Sequence, residues 1–290
     1  MKNLDLSTLP AKKRKQIVSY LRAGIQLLYF LFLPSVFTAA FNGVKYIFTQ
    51  LGQGEKIEMT AFVSALLLVC AFTIVFGRFF CGFACAFGSL GDAMHAIYGI
   101  ICKKRKKKPR RIKPETAKKL ALIKYGILFL IALTCFAGVY QKARGTSPWD
   151  VFSMLHAGNF RLSSYVPGIV LLLLILVGMF FEERFFCRFL CPMGAVFSLL
   201  PVLPFFTLHR KRENCIRGCS ACTRQCPSAV ELPSDGSVEI SGDCFQCQKC
   251  IDTCPKGNIR CGVKELHGNE ILFTLFRAVL LLTLLLWAGI

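Results

Sequence analysis

Twelve of the sixteen cysteines in this 290-residue chain fall into groups with two or three residues between neighbours. Thiolates are soft ligands that suit iron–sulfur clusters or zinc. The densest groups read CIRGCSACTRQCP at 215–227 and CFQCQKCIDTCP at 244–255. The second group has the ferredoxin spacing C-x2-C-x2-C-x3-C-P, and the first has one extra residue in its first gap. The pattern predicts a domain with two [4Fe–4S] clusters.

The same spacing predicts how the cysteines are shared between the clusters. Three closely spaced thiolates bind one cubane, and the fourth cysteine, which precedes proline, crosses to the other cluster. We therefore assign four ligands to each cluster: Cys215, Cys219, Cys222 and Cys254 to the first, and Cys244, Cys247, Cys250 and Cys226 to the second. A zinc site would need widely separated C-x2-C pairs, and it gives no reason for a proline after the fourth cysteine. CIRGCSAC also has the spacing of radical S-adenosylmethionine enzymes, but only 68 residues follow Cys222, too few for their barrel.

The remaining grouped cysteines lie in a repeated motif, RFFCGFACAFGSL at 78–90 and RFFCRFLCPMGAV at 184–196. Seven of the thirteen positions are identical at a constant offset of 106. We expect the repeat to bring four thiols together at one membrane depth, where they would hold a further redox centre, most simply an Fe–S cluster: Cys81, Cys85, Cys187 and Cys191. The alternatives are a redox-active thiol pair in each motif and buried packing cysteines. Identical flanking residues argue against the packing role.

The charged residues and glycines beside the repeated cysteines also carry predictions. Arg78 and Arg184 precede the cysteines, where they favour thiolate or offset cluster charge, or extend to lipid headgroups. Gly88 and Gly194 are expected to allow close backbone approach. Asp92 stands three residues before His95, and the pair is either a proton relay or, as we prefer, the solvated face of a short helix.

Four cysteines stand alone in the sequence, and we interpret them as packing residues: Cys70, Cys102, Cys135 and Cys261. The four histidines are scattered: His95, His156, His209 and His267. No histidine lies deep in an apolar stretch and no C-x-x-C-H occurs, so neither b-type nor covalent haem is expected.

The elements that position these cysteines are membrane helices. The chain is 54% hydrophobic with a mean hydropathy of +0.52, and a spanning helix needs about 20 mostly apolar residues. Five stretches qualify, although the fourth is short: 17–41, 57–77, 117–140, 166–181 and 270–290. Pro34 is a candidate kink. The first stretch has no small-residue cleavage site after it, so we expect a retained helix and not a signal peptide.

The basic residues predict the orientation. The net charge is +20, with basic runs at 12–15 and 103–113. Both runs flank apolar stretches, which indicates cytoplasmic loops under the positive-inside rule and not nucleic-acid binding. The N-terminus, both motifs and residues 209–267 are then cytoplasmic, and the C-terminus is outside.

The repeat is consequently a parallel one: two passes and a motif, then two passes and a motif. Short re-entrant or interfacial helices are expected at 87–101 and 196–206, and outer loops at 42–56 and 141–165. In the second loop, Ser147 and Pro148 predict a helix start. Trp149 is expected at the lipid interface, or as part of a docking site for an outer partner.

These motifs resemble the membrane-bound polyferredoxins of the NapH/NosR type, over residues 66–254. The sequence departs from that pattern at Ala86, where proline is usual, and in the gap between Cys215 and Cys219. The resemblance implies electron transfer between a cytoplasmic or quinone pool and an extracytoplasmic reductase or maturation system. The donors that we expect are a cytoplasmic ferredoxin, a flavoprotein or membrane quinol, and the expected acceptor is a membrane or extracytoplasmic subunit that carries flavin or haem. A quinol dehydrogenase subunit is one form of that role. Larger relatives carry an outer flavin-binding domain, for which the loops here leave no room.

The prediction is thus an α-helical integral membrane protein with about five transmembrane helices and an inserted α+β ferredoxin domain. Its expected parts are a first membrane repeat (1–116), a second repeat (117–208), the two-[4Fe–4S] domain (209–267) and a last helix (268–290). The alternative function is an assembly factor that reduces a metal or thiol for a partner metalloenzyme.

Overall fold

The computed structural model describes residues 11–107, 109, 111–140, 145–160, 163–203, 207–239, 241–261 and 270–289. These residues are mostly helical, with the following helices: α1 (Ala11–Phe32), α2 (Val36–Gln53), α3 (Ala61–Phe76), α4 (Ala86–Lys104), α5 (Pro114–Leu120), α6 (Ile123–Phe136), α7 (Pro148–His156), α8 (Val166–Phe181), α9 (Pro192–Leu199), α10 (Ala221–Gln225), α11 (Lys249–Thr253) and α12 (Glu270–Trp287).

The described helices include two that are long and apolar enough to cross a membrane, Glu115–Phe136 and Ser163–Phe181. The number becomes three if the bent pair Gln16–Phe32 and Val36–Gln53 is counted as one span. Ala61–Phe76 and Ile271–Trp287 are apolar but shorter. The chain is therefore a helical protein with two to three candidate spans, where the sequence predicts five.

The first predicted helix has the wrong bounds, although the kink predicted at Pro34 is confirmed. Helix α1 ends before Pro34, α2 begins after it, and the two axes differ by 61°. Proline cannot donate the backbone hydrogen bond that would continue the helix. The predicted loop at 42–56 is also wrong over most of its length, because α2 runs to Gln53 and ends at Gly54 in the left-handed conformation.

Helix α2 packs closely on α3 and α6 at glycines. A Cβ atom added at Gly43 would lie 2.4 Å from the carbonyl oxygen of Phe62, and one at Gly52 would lie 2.0 Å from that of Phe136. Small residues at such contacts let helix backbones approach each other in membrane proteins. These contacts fix α2, α3 and α6 as one packed unit.

The predicted start of α7 is confirmed. Ser147 is the N-cap, its Oγ accepts a hydrogen bond from the Asp150 backbone N–H at 3.3 Å, and Pro148 is the first helical residue. Trp149 does not face lipid, because its side chain is 8% exposed and packs on Phe41.

Each short helix after a motif differs in length from its prediction. Helix α4 covers the expected segment and extends it to Lys104. Helix α9 begins earlier, at Pro192, and ends at Leu199, ahead of Pro201. The end of the predicted segment, 204–206, lies outside the described residues.

Residues 207–261 form a small α+β unit with its own apolar core. The strands β1 (Leu208–Lys211), β2 (Asp235–Val238) and β3 (Ile259–Cys261) form an antiparallel sheet in the order β2-β1-β3. Leu208 pairs with Cys261, and Arg210 pairs with Ile259. The short helices α10 and α11 carry cysteines beside this sheet.

Candidate iron–sulfur sites

The two copies of the motif fold in the same way. Each begins with one π-helical turn, Phe80–Ala84 in the first copy and Phe186–Leu190 in the second. The second cysteine of each copy, Cys85 or Cys191, then has extended backbone and caps the next α-helix. Single π-helical turns are uncommon and often mark functional sites. The repeat seen in the sequence is thus a structural repeat at the cysteines.

The helix that follows each motif presents its N-terminus to a sulfur. The Gly194 backbone N–H donates to Cys191 Sγ at 3.1 Å, and the Gly88 N–H lies close enough to Cys85 to act on its charge without forming a hydrogen bond. Unpaired N–H groups and the helix dipole favour negative charge at this position. Both helices can therefore stabilise an anionic thiolate or cluster.

The four motif cysteines lie together in the buried interior. Each side chain is 3–5% exposed. Cys191 lies within electrostatic range of Cys187, Cys81 and Cys85. Two cysteines from each copy thus converge on one place, as the sequence predicts for a shared site.

The thiol of Cys187 lacks the lowered pKa that a redox-active thiol pair needs. Burial raises the pKa of Cys187 to about 11, even though the charges of Arg184 and Arg78 lower it. Redox-active cysteines have lowered pKa values that supply thiolate at neutral pH. Metal binding displaces the proton from a cysteine thiol, whereas a buried thiol that binds no metal stays protonated and is a poor nucleophile.

The two motif arginines cross over to the opposite copy. Arg184, in the second copy, donates to the carbonyl oxygens of Cys81 and Gly82 in the first copy, the latter at 2.9 Å. An added Cβ at Gly88 would lie 2.5 Å from Arg184 Nη1, and one at Gly194 would lie 3.0 Å from Arg78 Nη2. The predicted close approach at both glycines is confirmed, and in each case the arginine of the other copy fills the space.

Neither arginine extends to lipid headgroups, because both side chains are 1% exposed. Arg184 pairs with Asp92, whose Oδ1 and Oδ2 accept from Nε and Nη2 at 2.8 and 2.5 Å. The interpretation of Asp92 as part of a solvated face is therefore wrong. Burial alone would raise the pKa of Asp92, but the charges of Arg184 and Lys249 outweigh it and hold that pKa well below its ordinary value.

Arg78 binds residues of the α+β unit and of the helix that follows the second motif. Its Nη1 donates to Ser198 Oγ at 3.1 Å and to the Gly242 carbonyl oxygen at 3.2 Å. Asp243 accepts from Lys124 Nζ at 2.7 Å and lies 3.5 Å from Arg78 Nη1. The α+β unit therefore supplies the acid that neutralises this part of the membrane region.

Eight of the nine cysteines in the α+β unit, all but Cys261, line two neighbouring cavities. The first cavity is lined by Arg210, Asn258 and one set of four cysteines: Cys215, Cys219, Cys222 and Cys254. The second is lined by Lys249 and the other set, with Cys222 at its edge: Cys226, Cys244, Cys247 and Cys250. Each cavity thus brings together the four cysteines that the spacing assigns to one cluster.

Nitrogen donors surround these sulfurs. Arg210 Nη1 donates to Cys222 Sγ at 3.2 Å, and Asn258 Nδ2 donates to Cys215 Sγ at 3.4 Å. The Asn258 backbone N–H donates to Cys254 Sγ at 3.3 Å. Such donors compensate the negative charge of cluster-bound sulfur and set its reduction potential. The donor set fits an iron–sulfur cluster.

Across the described ranges, no three or more Cys, His, Asp or Glu side chains converge closely enough to hold one ion. Zinc draws its thiolates to about 2.3 Å, whereas a four-iron cubane separates its thiolates by the width of the cluster. The cysteine spacing along the sequence, C-x2-C-x2-C-x3-C-P in the second group, favours a cluster over zinc.

Sequence reasoning missed one buried cation beside these cavities. Arg277 on α12 is fully buried between the rings of Phe79 and Phe273, at 4.6 and 4.4 Å. Its charge faces Cys261 and Cys244. An ionisable residue within an apolar helix is itself a signal of function, and that signal was present in the sequence.

The scattered cysteines and histidines stay apart from these sites, except for Cys261. Cys102 and Cys135 are buried, and Cys70 is partly buried. His95 Nδ1 lies 3.3 Å from the Phe180 carbonyl oxygen, and the ring of His156 packs on Phe30. His209 lies on β1, and His267 lies outside the described residues.

Together, the helices, the repeated cysteine motif and the cysteine-lined cavities define a class of protein: a membrane iron–sulfur protein of ferredoxin type. The 4Fe-4S binding domain family matches residues 59–109 and 166–211, the two segments that contain the motif copies. No solved structure matches the chain.

Relatives narrow this class to a family. An uncharacterised protein of Methanocaldococcus jannaschii, MJ0749, is 30% identical over 70% of this chain and 71% of its own length. A second uncharacterised protein of that organism, MJ0750, is 27% identical over 83% of this chain and 93% of its own length. The ferredoxin-type protein NapH of Haemophilus influenzae is 24% identical over 72% of this chain and 70% of its own length. The chain belongs to the NapH/NosR-type family of ferredoxin-like membrane proteins, which supports a role in iron–sulfur electron transfer.

Proposed function

We propose that the chain is a membrane-bound electron-transfer subunit with three iron–sulfur centres. Two [4Fe–4S] clusters would be held by the cysteine sets of the two cavities, and a third centre by Cys81, Cys85, Cys187 and Cys191. One observation carries this proposal: twelve cysteines lie in three sets of four, in one continuous region of contact.

The clusters, when bound, would accept and release single electrons, and the protein's own residues would control that exchange. The apolar core around the motif cysteines excludes water, because these side chains are almost fully buried. Arginine and N–H donors would favour the reduced, more negative form of each centre. The sites described above contain no nucleophile arranged for substrate chemistry, which favours an electron relay over a catalytic site.

The membrane arrangement is part of the proposal. Helix α3 has 16 residues and is about 24 Å long, short of the roughly 30 Å hydrocarbon core. We propose five passes, with α3 and α12 completing their spans through the adjoining turns and interfacial residues. The α+β unit, as an inserted ferredoxin domain, and the N-terminus would then be cytoplasmic, and the C-terminus outside.

The partners follow from this arrangement. A cytoplasmic ferredoxin, a flavoprotein or membrane quinol would reduce the clusters. A membrane or extracytoplasmic subunit with flavin or haem would accept the electrons. The name NapH refers to a ferredoxin-type protein, which supports the electron-transfer role and leaves both partners to experiment.

The test is an iron and sulfide count with EPR on the full chain purified without oxygen. Two [4Fe–4S] clusters contribute about eight iron atoms per chain, so a third centre appears as an excess. We expect Cys187→Ser to remove that excess and to preserve the other two signals. Cys135→Ser is the matched control, since Cys135 is also a buried cysteine in the same core but lies outside all three sets.

The proposal has two clear points of failure. A colourless protein with little iron would overturn the whole electron-transfer role. An iron count of about eight that does not change in Cys187→Ser would overturn the third centre alone.

A further inference from the structure

The loop at residues 242–248, here the docking loop, joins the α+β unit to the two membrane motifs. It carries Cys244 and Cys247 of the second cavity. Its own packing is divided: Phe245 and Cys247 belong to the large core that contains all four motif cysteines, whereas Cys244 belongs to the small core of the α+β unit. The loop therefore spans the boundary between the two parts of the protein.

The backbone of this loop rests directly on the first motif. An added Cβ at Gly82 would lie 2.3 Å from the carbonyl oxygen of Phe245 and 3.8 Å from the Cα of Cys247. One at Gly242 would lie 2.5 Å from the carbonyl oxygen of Ser198, in the helix after the second motif. Contacts this close exist only because glycine stands at both positions.

The ring of Phe245 lies between the two crossed arginines. The guanidinium carbons of Arg78 and Arg184 are 4.8 and 5.6 Å from its centroid, within the range of cation–π attraction. The ring is 3% exposed. Arg184 is also within electrostatic range of both Cys187 and Cys247. One cation is thus shared by a motif cysteine and a cysteine of the second cavity.

Resting on the proposed function, we infer that the docking loop is the electron contact between the second ferredoxin cluster and the motif centre, with Phe245 as its central residue. Electron tunnelling falls steeply with distance and with gaps in packing, so the closest packed route carries the exchange. A single electron crosses in each event: the centre on one side loses the electron that the other side gains, and no bond or proton changes place. The first cavity, around Cys215, shares no lining residue with the large core that contains the motif cysteines.

The geometry provides two variants that disturb the contact in different ways. Gly82→Ala places a methyl group against the backbone of Phe245, so the loop must move away from the motif. Gly99→Ala is its control, because a Cβ there meets nothing within 4 Å. Phe245→Leu removes the ring and retains the backbone. Phe152→Leu is its control, since Phe152 is buried in the same core but on α7, away from the docking loop.

The experiment uses the full anaerobic chain and measures iron content, the magnetic interaction between reduced centres by EPR, and electron equilibration after a pulse of reductant with rapid freezing. We expect Gly82→Ala to retain its iron and lose the interaction between the second cluster and the motif centre. The interaction between the two ferredoxin clusters should persist. Phe245→Leu should slow electron equilibration between the second cluster and the motif centre several-fold relative to Phe152→Leu. If Gly82→Ala loses iron, the comparison of Phe245→Leu with Phe152→Leu is the test.

The inference is overturned if Gly82→Ala keeps both full iron and the magnetic interaction, or if Phe245→Leu equilibrates as fast as Phe152→Leu. Those results would leave the three-centre proposal standing. A chain with no iron at the motif cysteines overturns both, and the iron count identifies that case.

Discussion

Arg184 and Asp92 form a buried ion pair that joins the two copies of the motif, with Arg184 Nη2 2.5 Å from Asp92 Oδ2. Asp92 stands seven residues after the second cysteine of the first copy, and Ser198 is its counterpart at the offset of 106. Arg78 binds that counterpart at 3.1 Å. Because serine carries no charge, Arg78 depends on Asp243 of the α+β unit instead. The α+β unit thus supplies to Arg78, through Asp243, the carboxylate that Asp92 supplies to Arg184.

The first prediction concerns this pair. Asp92→Asn leaves the guanidinium of Arg184 buried without its main counter-charge. Breaking one side of a buried ion pair typically costs about 3–5 kcal/mol, and we expect a loss of that size in the free energy of unfolding. Denaturant unfolding of the purified protein in detergent measures it.

The matched control for Asp92→Asn is Glu115→Gln, which changes an exposed carboxylate in the first turn of α5. Surface substitutions of this kind usually stay within about 0.5 kcal/mol. Equal effects of the two substitutions would show that the Arg184–Asp92 pair does not hold the motifs together.

The sequence could predict the cysteine sets because cluster ligation imposes a spacing that is visible along the chain. The repeat could be recognised for the same reason, since both copies must make the same turn around Cys81 and Cys187. The start of α7 was also predictable, because capping at Ser147 depends on neighbouring residues alone.

The docking of the α+β unit could not be predicted in this way. Phe245 contacts Arg78 and Arg184, which are distant from it in sequence. Such contacts depend on complementary surfaces and not on local spacing. The kink at Pro34 was predictable from a local signal, whereas the extension of α2 through the predicted loop to Gln53 was not.

A second prediction concerns the buried cation on α12. Arg277 interacts with Cys261, and its charge also acts on Cys244 of the second cavity. Removing it in Arg277→Met should disfavour the reduced cluster and lower the reduction potential of the second cluster. A fall of roughly 60 mV corresponds to a tenfold change for one electron. Arg277→Lys should retain most of the potential, and a redox titration followed by EPR distinguishes the two.

A third prediction separates the two ferredoxin clusters. Arg210 Nη1 donates to Cys222 Sγ, and its Nη2 donates to the Leu232 carbonyl oxygen at 2.7 Å. Arg210→Met should therefore lower the potential of the first cluster and leave that of the second close to its original value. The same titration tests it, with Arg277→Met as the reciprocal variant. If both arginines shift the same signal, the assignment of cysteines to clusters is wrong.

The last prediction concerns pH. Glu239 is 4% exposed, and burial together with the charge of Asp243 raises its pKa, although the Ser241 N–H lowers it. A carboxyl group with a raised pKa in the folded state destabilises the fold as pH rises above its unfolded value of about 4.3. Glu239→Gln retains an oxygen to accept from Ser241 and carries no charge, so it should raise the melting temperature at pH 7, where Glu239 is ionised, and progressively less as the pH falls through the raised pKa toward pH 4. Anaerobic thermal unfolding across that range measures the difference, and a gain that is constant with pH would rule out ionisation of Glu239 as its source.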